Sequence, residues 1–168
     1  MYNGCSWLPE PLKLNGSVND EDVENNLYEL FLDNLKNGNI VYRGKPVRFR
    51  SNPKIYGKEE GFYHIIAGYK GKPIIEERAR RLLWGKYILN NEPCQKVDID
   101  KCCEGLWIWK SSKNGPNKGR IHIFHPKVNY LVVIEERKEY WVYITSFRVG
   151  NTKERSEYKL DYKQNKWS

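Results

Sequence analysis

A chain of 168 residues with 39% hydrophobic and 14% aromatic content, including 6 Trp and 12 Tyr, can build one globular domain around its own core, so a disordered tail protein is excluded. Its formal net charge of +8 and sequence pI near 9.2 favour a polyanionic partner such as RNA, DNA or anionic lipid. No apolar run approaches the ~18 residues of a membrane span, and the N-terminal stretch Met1 to Pro9 lacks the basic and apolar regions of a signal peptide, so a cytoplasmic protein with no membrane partner is expected.

The charge is unevenly placed. Residues 1–38 carry 2 basic and 7 acidic side chains, and the remaining residues carry 27 basic and 14 acidic ones. The lead-in, residues 1–18, is rich in Pro, Gly, Asn and Ser and reads as irregular. With Asn19 as N-cap, Asp20 to Lys36 sets Val23, Leu27, Leu30, Phe31 and Leu35 at helical spacing, with acidic residues in the first turn and Gly38 after the end. Ile40 to Tyr42, a turn at Arg43 to Pro46, and Val47 to Arg50 read as a hairpin. Ser51 to Lys54 is a loop. Gly61 to Ala67 is a short buried segment in which alternation places His64 inward beside Phe62 and Ile66. Pro73 to Asn91 returns to helical spacing.

The second half reads as β structure. Strands are expected at Leu106 to Trp109, Arg120 to Phe124, Tyr130 to Ile134 and Tyr140 to Phe147, forming a four-stranded antiparallel meander behind two helices. The basic stretch Lys153 to Lys166 is poor in apolar residues and reads as a loose tail. The expected class is therefore α+β, with N-terminal helices packed on an antiparallel sheet of four strands or more.

Several chemistries lack their residues: there is no Walker loop, GxGxxG, HExxH or GxSxG. Asp98 and Asp100 have no evident third ligand, and Cys5, Cys94, Cys102 and Cys103 show no CxxC spacing. Reduced, packed thiols and no metal or cofactor are expected. Three histidines remain. His64 is either a buried, hydrogen-bonded side chain or a general acid/base; His122 reads as a sheet-surface residue and His125 as part of a turn.

Arg78 and Arg81 stand three apart, with Trp84 extending the row and Arg80 to its side. They are a solvated helix face paired with Glu76 and Glu77, or a guanidinium pair gripping phosphate. Thr145 and Ser146 offer hydroxyls near a strand end. Arg148, Lys153, Arg155 and Lys159 follow, and they ring the same site if that strand ends near the helix.

In order, Leu27-Tyr-Glu-Leu-Phe31, Arg43-Gly-Lys-Pro-Val47, Gly57 to Ile65, Arg78-Ala-Arg-Arg-Leu-Leu-Trp84, Tyr130 to Lys138 and Tyr143-Ile-Thr-Ser-Phe147 resemble the phage-associated nucleases of the barnase/EndoU/colicin/RelE-like superfamily. The resemblance spans about residues 20–160. It implies a nuclease-like core at 19–160, with a basic tail at 161–168. It further implies a metal-independent ribonuclease in which the ribose 2′-OH attacks the adjacent phosphate and leaves a 2′,3′-cyclic phosphate. His64 would be the acid/base, Arg78 and Arg81 would hold phosphate charge, and Thr145 would be the strand-end hydroxyl. Arg155 or Lys159 would be a further cation, and Arg80, Trp84, Ser146 and Lys153 would line the substrate path. The implied setting is a phage, mobile-element or toxin-type effector acting on RNA, with tRNA and mRNA as candidates and a cognate antitoxin or immunity protein as partner. The competing readings are a non-catalytic nucleic-acid-binding module and a protein-interaction domain.

Overall fold

The computed structural model describes residues 5, 7–68, 72–92, 105–112, 114–115 and 118–167. The expectations for Cys94, Cys102, Cys103, Asp98 and Asp100 lie outside these residues. Among the described residues the chain forms five α-helices, a six-stranded sheet and a two-stranded ribbon. None of the helices is long and apolar enough to cross a membrane.

Helix α1 (Glu21–Phe31) starts one residue later than its sequence predicts, with Asp20 in place of Asn19 at the N-cap. Glu21, Asp22 and Glu24 lie at its positive end, and Val23, Leu27 and Phe31 are buried one turn apart. It widens into a π-helical turn, Leu32–Lys36, which keeps Leu35 buried. Strands β1 (Val41–Tyr42) and β2 (Lys45–Phe49) form the expected hairpin. Its turn places Arg43 at φ 44° and Gly44 at φ 80°, the double left-handed pair that suits the twist of a two-residue loop. A second, unforeseen hairpin joins β3 (Lys54–Ile55) to β4 (Lys58–Glu59) in the same way, through Tyr56 at φ 49° and Gly57 at φ 77°.

The segment expected to alternate is a helix, α2 (Glu60–Ile66). Gly61, Phe62, Tyr63, Ile65 and Ile66 are all buried, so the pattern has no clear period from which to separate strand from helix. A helical step of about 100° turns His64 away from Phe62 and Ile66 and leaves its side chain 21% exposed. The predicted helix over 73–91 is two, α3 (Glu76–Arg80) and α4 (Trp84–Asn90). Between them the chain tightens: Leu82 N–H bonds Ala79 O at 3.2 Å and Trp84 N–H bonds Arg81 O at 3.0 Å. Tyr130 Oη also donates to Arg81 O, at 3.2 Å, fixing the break.

Strands β5 (Trp107–Lys110), β6 (Ile121–His125), β7 (Tyr130–Glu136) and β8 (Trp141–Arg148) form the expected antiparallel meander. The whole sheet is larger and mixed, in the order β1-β2-β8-β7-β6-β5, because β2 runs parallel to β8. The purely antiparallel expectation fails here. The chain between β2 and β8 is long enough for a crossover, which a hairpin-based reading does not anticipate.

The strands are apolar on both faces. Ile108, Ile121, Ile123, Val132, Ile134 and Tyr143 pack with helices α1 to α4. Trp107, Trp109, Phe124, Leu131, Val133 and Ile144 form a second cluster on the opposite face. This cluster is covered by α5 (Thr152–Asn165), where a loose tail was expected. Of the helix's apolar residues only Tyr158 and Tyr162, one turn apart, turn toward it, while Leu160 is exposed: Tyr162 stacks on Trp107 at 5.7 Å, and Tyr158 lies 5.6 Å from Trp109. Asn151 caps the helix by accepting from Lys153 N–H at 2.8 Å. Beyond it Lys166 bridges Trp109, and Trp167 N–H bonds Ile108 O at 3.0 Å, so the expected basic tail is also tied to β5. Covered by α5, His122 is buried against Trp109 at 5.0 Å and is not the surface residue its alternation suggests.

Candidate functional site

The parallel pairing of β2 with β8 ends at Phe49 and Tyr143, while β8 runs on to Arg148. Over this last stretch β7 pairs along one edge, and α2 and α3 lie against the strand where β2 has stopped. Helix α2 gets there by close docking. Gly61 N–H bonds Arg50 O at 2.9 Å, and a Cβ at Gly61 would stand 2.9 Å from that oxygen, so only glycine fits. The β7–β8 register slips between Val133 and Ile134, which face Thr145 and Tyr143 and leave Ile144 unpaired, a bulge that re-aims the end of β8.

Three of the sequence-predicted residues meet at this edge. Thr145 Oγ1 donates to the backbone carbonyl of His64 at 2.8 Å. Arg78 Nη1 donates to the same carbonyl at 3.3 Å and lies 3.5 Å from Thr145 Oγ1. The Arg78 guanidinium also lies over the Phe147 ring, 4.7 Å from its centroid. No carboxylate pairs with it among the described residues. Burial lowers its pKa from the ordinary arginine value, yet a guanidinium this basic stays charged. The His64 peptide makes these contacts; its imidazole points one turn back, with Nε2 3.3 Å from Glu60 Oε1.

Arg81 does not form a parallel clamp. It falls past the end of α3, where Nη1 donates to Glu77 O at 3.1 Å and lies 3.6 Å from Glu77 Oε1, and its guanidinium sits 5.0 Å from the Trp84 ring centroid. Glu77 also accepts from Arg148 Nη1 at 2.8 Å, so this carboxylate offsets two cations beside Arg78.

Arg80 is structural: its Nε donates to Leu12 O at 3.0 Å, while its own carbonyl accepts from Leu12 N–H at 2.7 Å, tying down the lead-in. Trp84 is 1% exposed, with Nε1 donating to Pro9 O at 3.1 Å, so it belongs to the core and offers no stacking surface. Ser146, also 1% exposed, lies 2.9 Å from Tyr130 Oη and donates to it, since the one proton of that phenol is given to Arg81 O. Burial pushes the Tyr130 pKa up to about 12, which keeps that hydroxyl a donor.

The cations of α5 do not ring Thr145. Lys153 is exposed in the first turn of the helix. Arg155 and Lys159 lie 5.6 and 6.0 Å from the Trp107 centroid, and Arg155 Nη2 donates to Pro126 O at 3.3 Å. Trp107, Phe124, Leu131 and Phe147 are partners in successive strand pairs. Three strand spacings, about 14 Å, therefore separate the Trp107 cations from the Arg78–Phe147 contact.

Two contributors escaped the sequence reading. Glu60 becomes visible only once 60–66 is read as a helix, when it falls four residues before His64. By sequence Glu77 is an ordinary helix partner, and its sharing by Arg81 and Arg148 depends on β8 arriving beside α3.

Comparison with protein-family models, with curated proteins and with solved structures gives no match to this chain.

Proposed function

We propose that this protein is a metal-independent RNA endonuclease whose phosphate site is Arg78 at the β8 edge, consistent with the family resemblance of its sequence blocks. The observation that carries the reading is Arg78 itself. It is a partly desolvated guanidinium with no carboxylate partner among the described residues, held by the His64 carbonyl and the Phe147 ring. An uncompensated charge in such a place is costly, and a phosphate is the anion whose geometry its planar fork matches.

In this reading the scissile phosphate sits on Arg78. His64, on the neighbouring turn of α2, takes the proton as the ribose 2′-oxygen attacks phosphorus, and Glu60 steadies the resulting imidazolium. The bond from phosphorus to the 5′-oxygen breaks, that oxygen takes a proton from solvent, the His64 imidazolium returns its proton to the hydroxide left behind, and the products are a 2′,3′-cyclic phosphate and a 5′-hydroxyl. Arg78 offsets the charge gathering on the phosphoryl oxygens. Thr145 is a positioning residue: its one donor is already given to the His64 carbonyl, tying α2 to β8. Arg81 and Arg148, half-neutralised by Glu77, contribute to the field more than to contact.

The test is RNA cleavage in EDTA by wild type, Arg78→Ala and Arg78→Lys. Loss of a phosphate clamp is expected to slow cleavage by about 10²-fold or more, with Lys recovering only part of it. Equal rates for all three overturn the site. RNA binding without any cleavage supports a nucleic-acid-binding module.

A further inference from the structure

We propose that the cleft between the β3–β4 hairpin and residues Pro73 and Ile74 is a base-binding site, taking one unstacked nucleobase of the RNA whose phosphate lies on Arg78. This rests on the ribonuclease reading and gives that site its substrate contact beyond the phosphate.

The cleft has a volume of about 300 Å³, at the lower end of small-ligand sites. Its walls include Ile55, Tyr56, Tyr63 and Ile74, and its polar groups include Asn19 and Glu24. Flat apolar walls with a few convergent polar groups are what a splayed base requires: a π-face to stack on and an edge partner to bond. Tyr56 is 91% exposed, an unusual place for an aromatic side chain. The tight turn sets its backbone at φ 49° and presents the ring at the tip of the β3–β4 hairpin.

The edge partner is Glu24. Tyr63 Oη donates to Glu24 Oε1 at 2.5 Å, and Lys58 Nζ lies 3.4 Å from the same oxygen. Among the described residues both contacts fall on Oε1 and none on Oε2. A carboxylate only accepts, so it favours bases with an amino group on the pairing edge: adenine, guanine and cytosine. Uracil, whose single edge N–H is flanked by two carbonyls, is the poorest match. Position supports the assignment too. Tyr63 lines this cleft and His64 is the next residue on α2, so the cleft and the candidate phosphate site share one helix.

Titration of the protein with the four nucleoside 5′-monophosphates and with ribose 5-phosphate, followed by NMR or intrinsic fluorescence, tests this without requiring cleavage. AMP, GMP and CMP are expected to bind about tenfold more tightly than ribose 5-phosphate, with UMP between them. Tyr56→Ala, a change at an exposed tip, should erase most of that advantage. Glu24→Gln should bring UMP level with the others while leaving stacking intact. Nucleotides that bind no better than ribose 5-phosphate, or a Tyr56→Ala protein that binds them unchanged, overturn the proposal. The two readings fail separately. Base-dependent binding lost in Tyr56→Ala, without RNA cleavage, sinks the nuclease and keeps the base site; cleavage indifferent to Tyr56 does the reverse.

Discussion

Arg78 and His125 show how burial acts on two cationic side chains. Arg78 keeps its charge because a guanidinium cannot readily release it, so the protein surrounds it with a carbonyl, a hydroxyl and a ring. His125 is fully buried, with Cys5 Sγ 3.2 Å from Nε2 and no hydrogen-bond partner for Nδ1 among the described residues, and it gives up its charge. Desolvation, helped by Lys127, lowers its pKa to about 4. The unfolded chain, with histidine near 6.5, therefore binds more protons between these values, and folding stability falls as pH drops from about 6.5 toward 4. His125 alone should remove about 2 kcal/mol between pH 7.5 and pH 5, measurable by urea denaturation, and His125→Leu should flatten that part of the profile. Thr145→Val removes the hydroxyl that ties α2 to β8 and is expected to cost about 1 kcal/mol by the same measurement. It should also slow cleavage through loosened positioning while leaving RNA affinity nearly unchanged.

Among the elements, α2 and α5 carry the most instruction. Helix α1, the first hairpin and the four-stranded meander were legible because their apolar residues repeat at one clear period. Helix α2 was not, since five of its seven residues are buried and no polar face marks the turn. Helix α5 was hidden for the opposite reason: two tyrosines and the stems of basic residues cover the second face of the sheet. The candidate site was legible in part. His64, Arg78 and Thr145 were each named from the chain, and the structure brings them together, but through the His64 carbonyl. Arg155 and Lys159 were misplaced because their distance from Arg78 is set by strand order, which spacing along the chain does not encode. Packing between elements also makes a sharp prediction at α4. A Cβ at Gly85 would fall 1.8 Å from Tyr143 Oη, inside the core beneath β8. Gly85→Ala should cost about 3 kcal/mol or more and lower the urea midpoint accordingly, despite alanine's better helix propensity.

At the scale of the whole molecule, an acidic first helix precedes a strongly basic body, and the proposed base and phosphate sites share α2. Under the proposed function, such a charge distribution makes affinity for RNA depend on counterion release. A footprint of about four phosphates predicts a slope near −3 in log K against log salt, and neutralising one contacting cation should reduce it by roughly one phosphate's share. The central claim is that α2 and α3 hold a metal-free phosphodiester-cleaving centre. Its most direct test is to incubate wild type and His64→Ala with RNA in EDTA and to identify the new ends. The account predicts cleavage by wild type with 2′,3′-cyclic phosphate and 5′-hydroxyl ends, slowed at least 10²-fold in a folded His64→Ala protein. Intact RNA with wild type, or equal cleavage by both proteins, would contradict it.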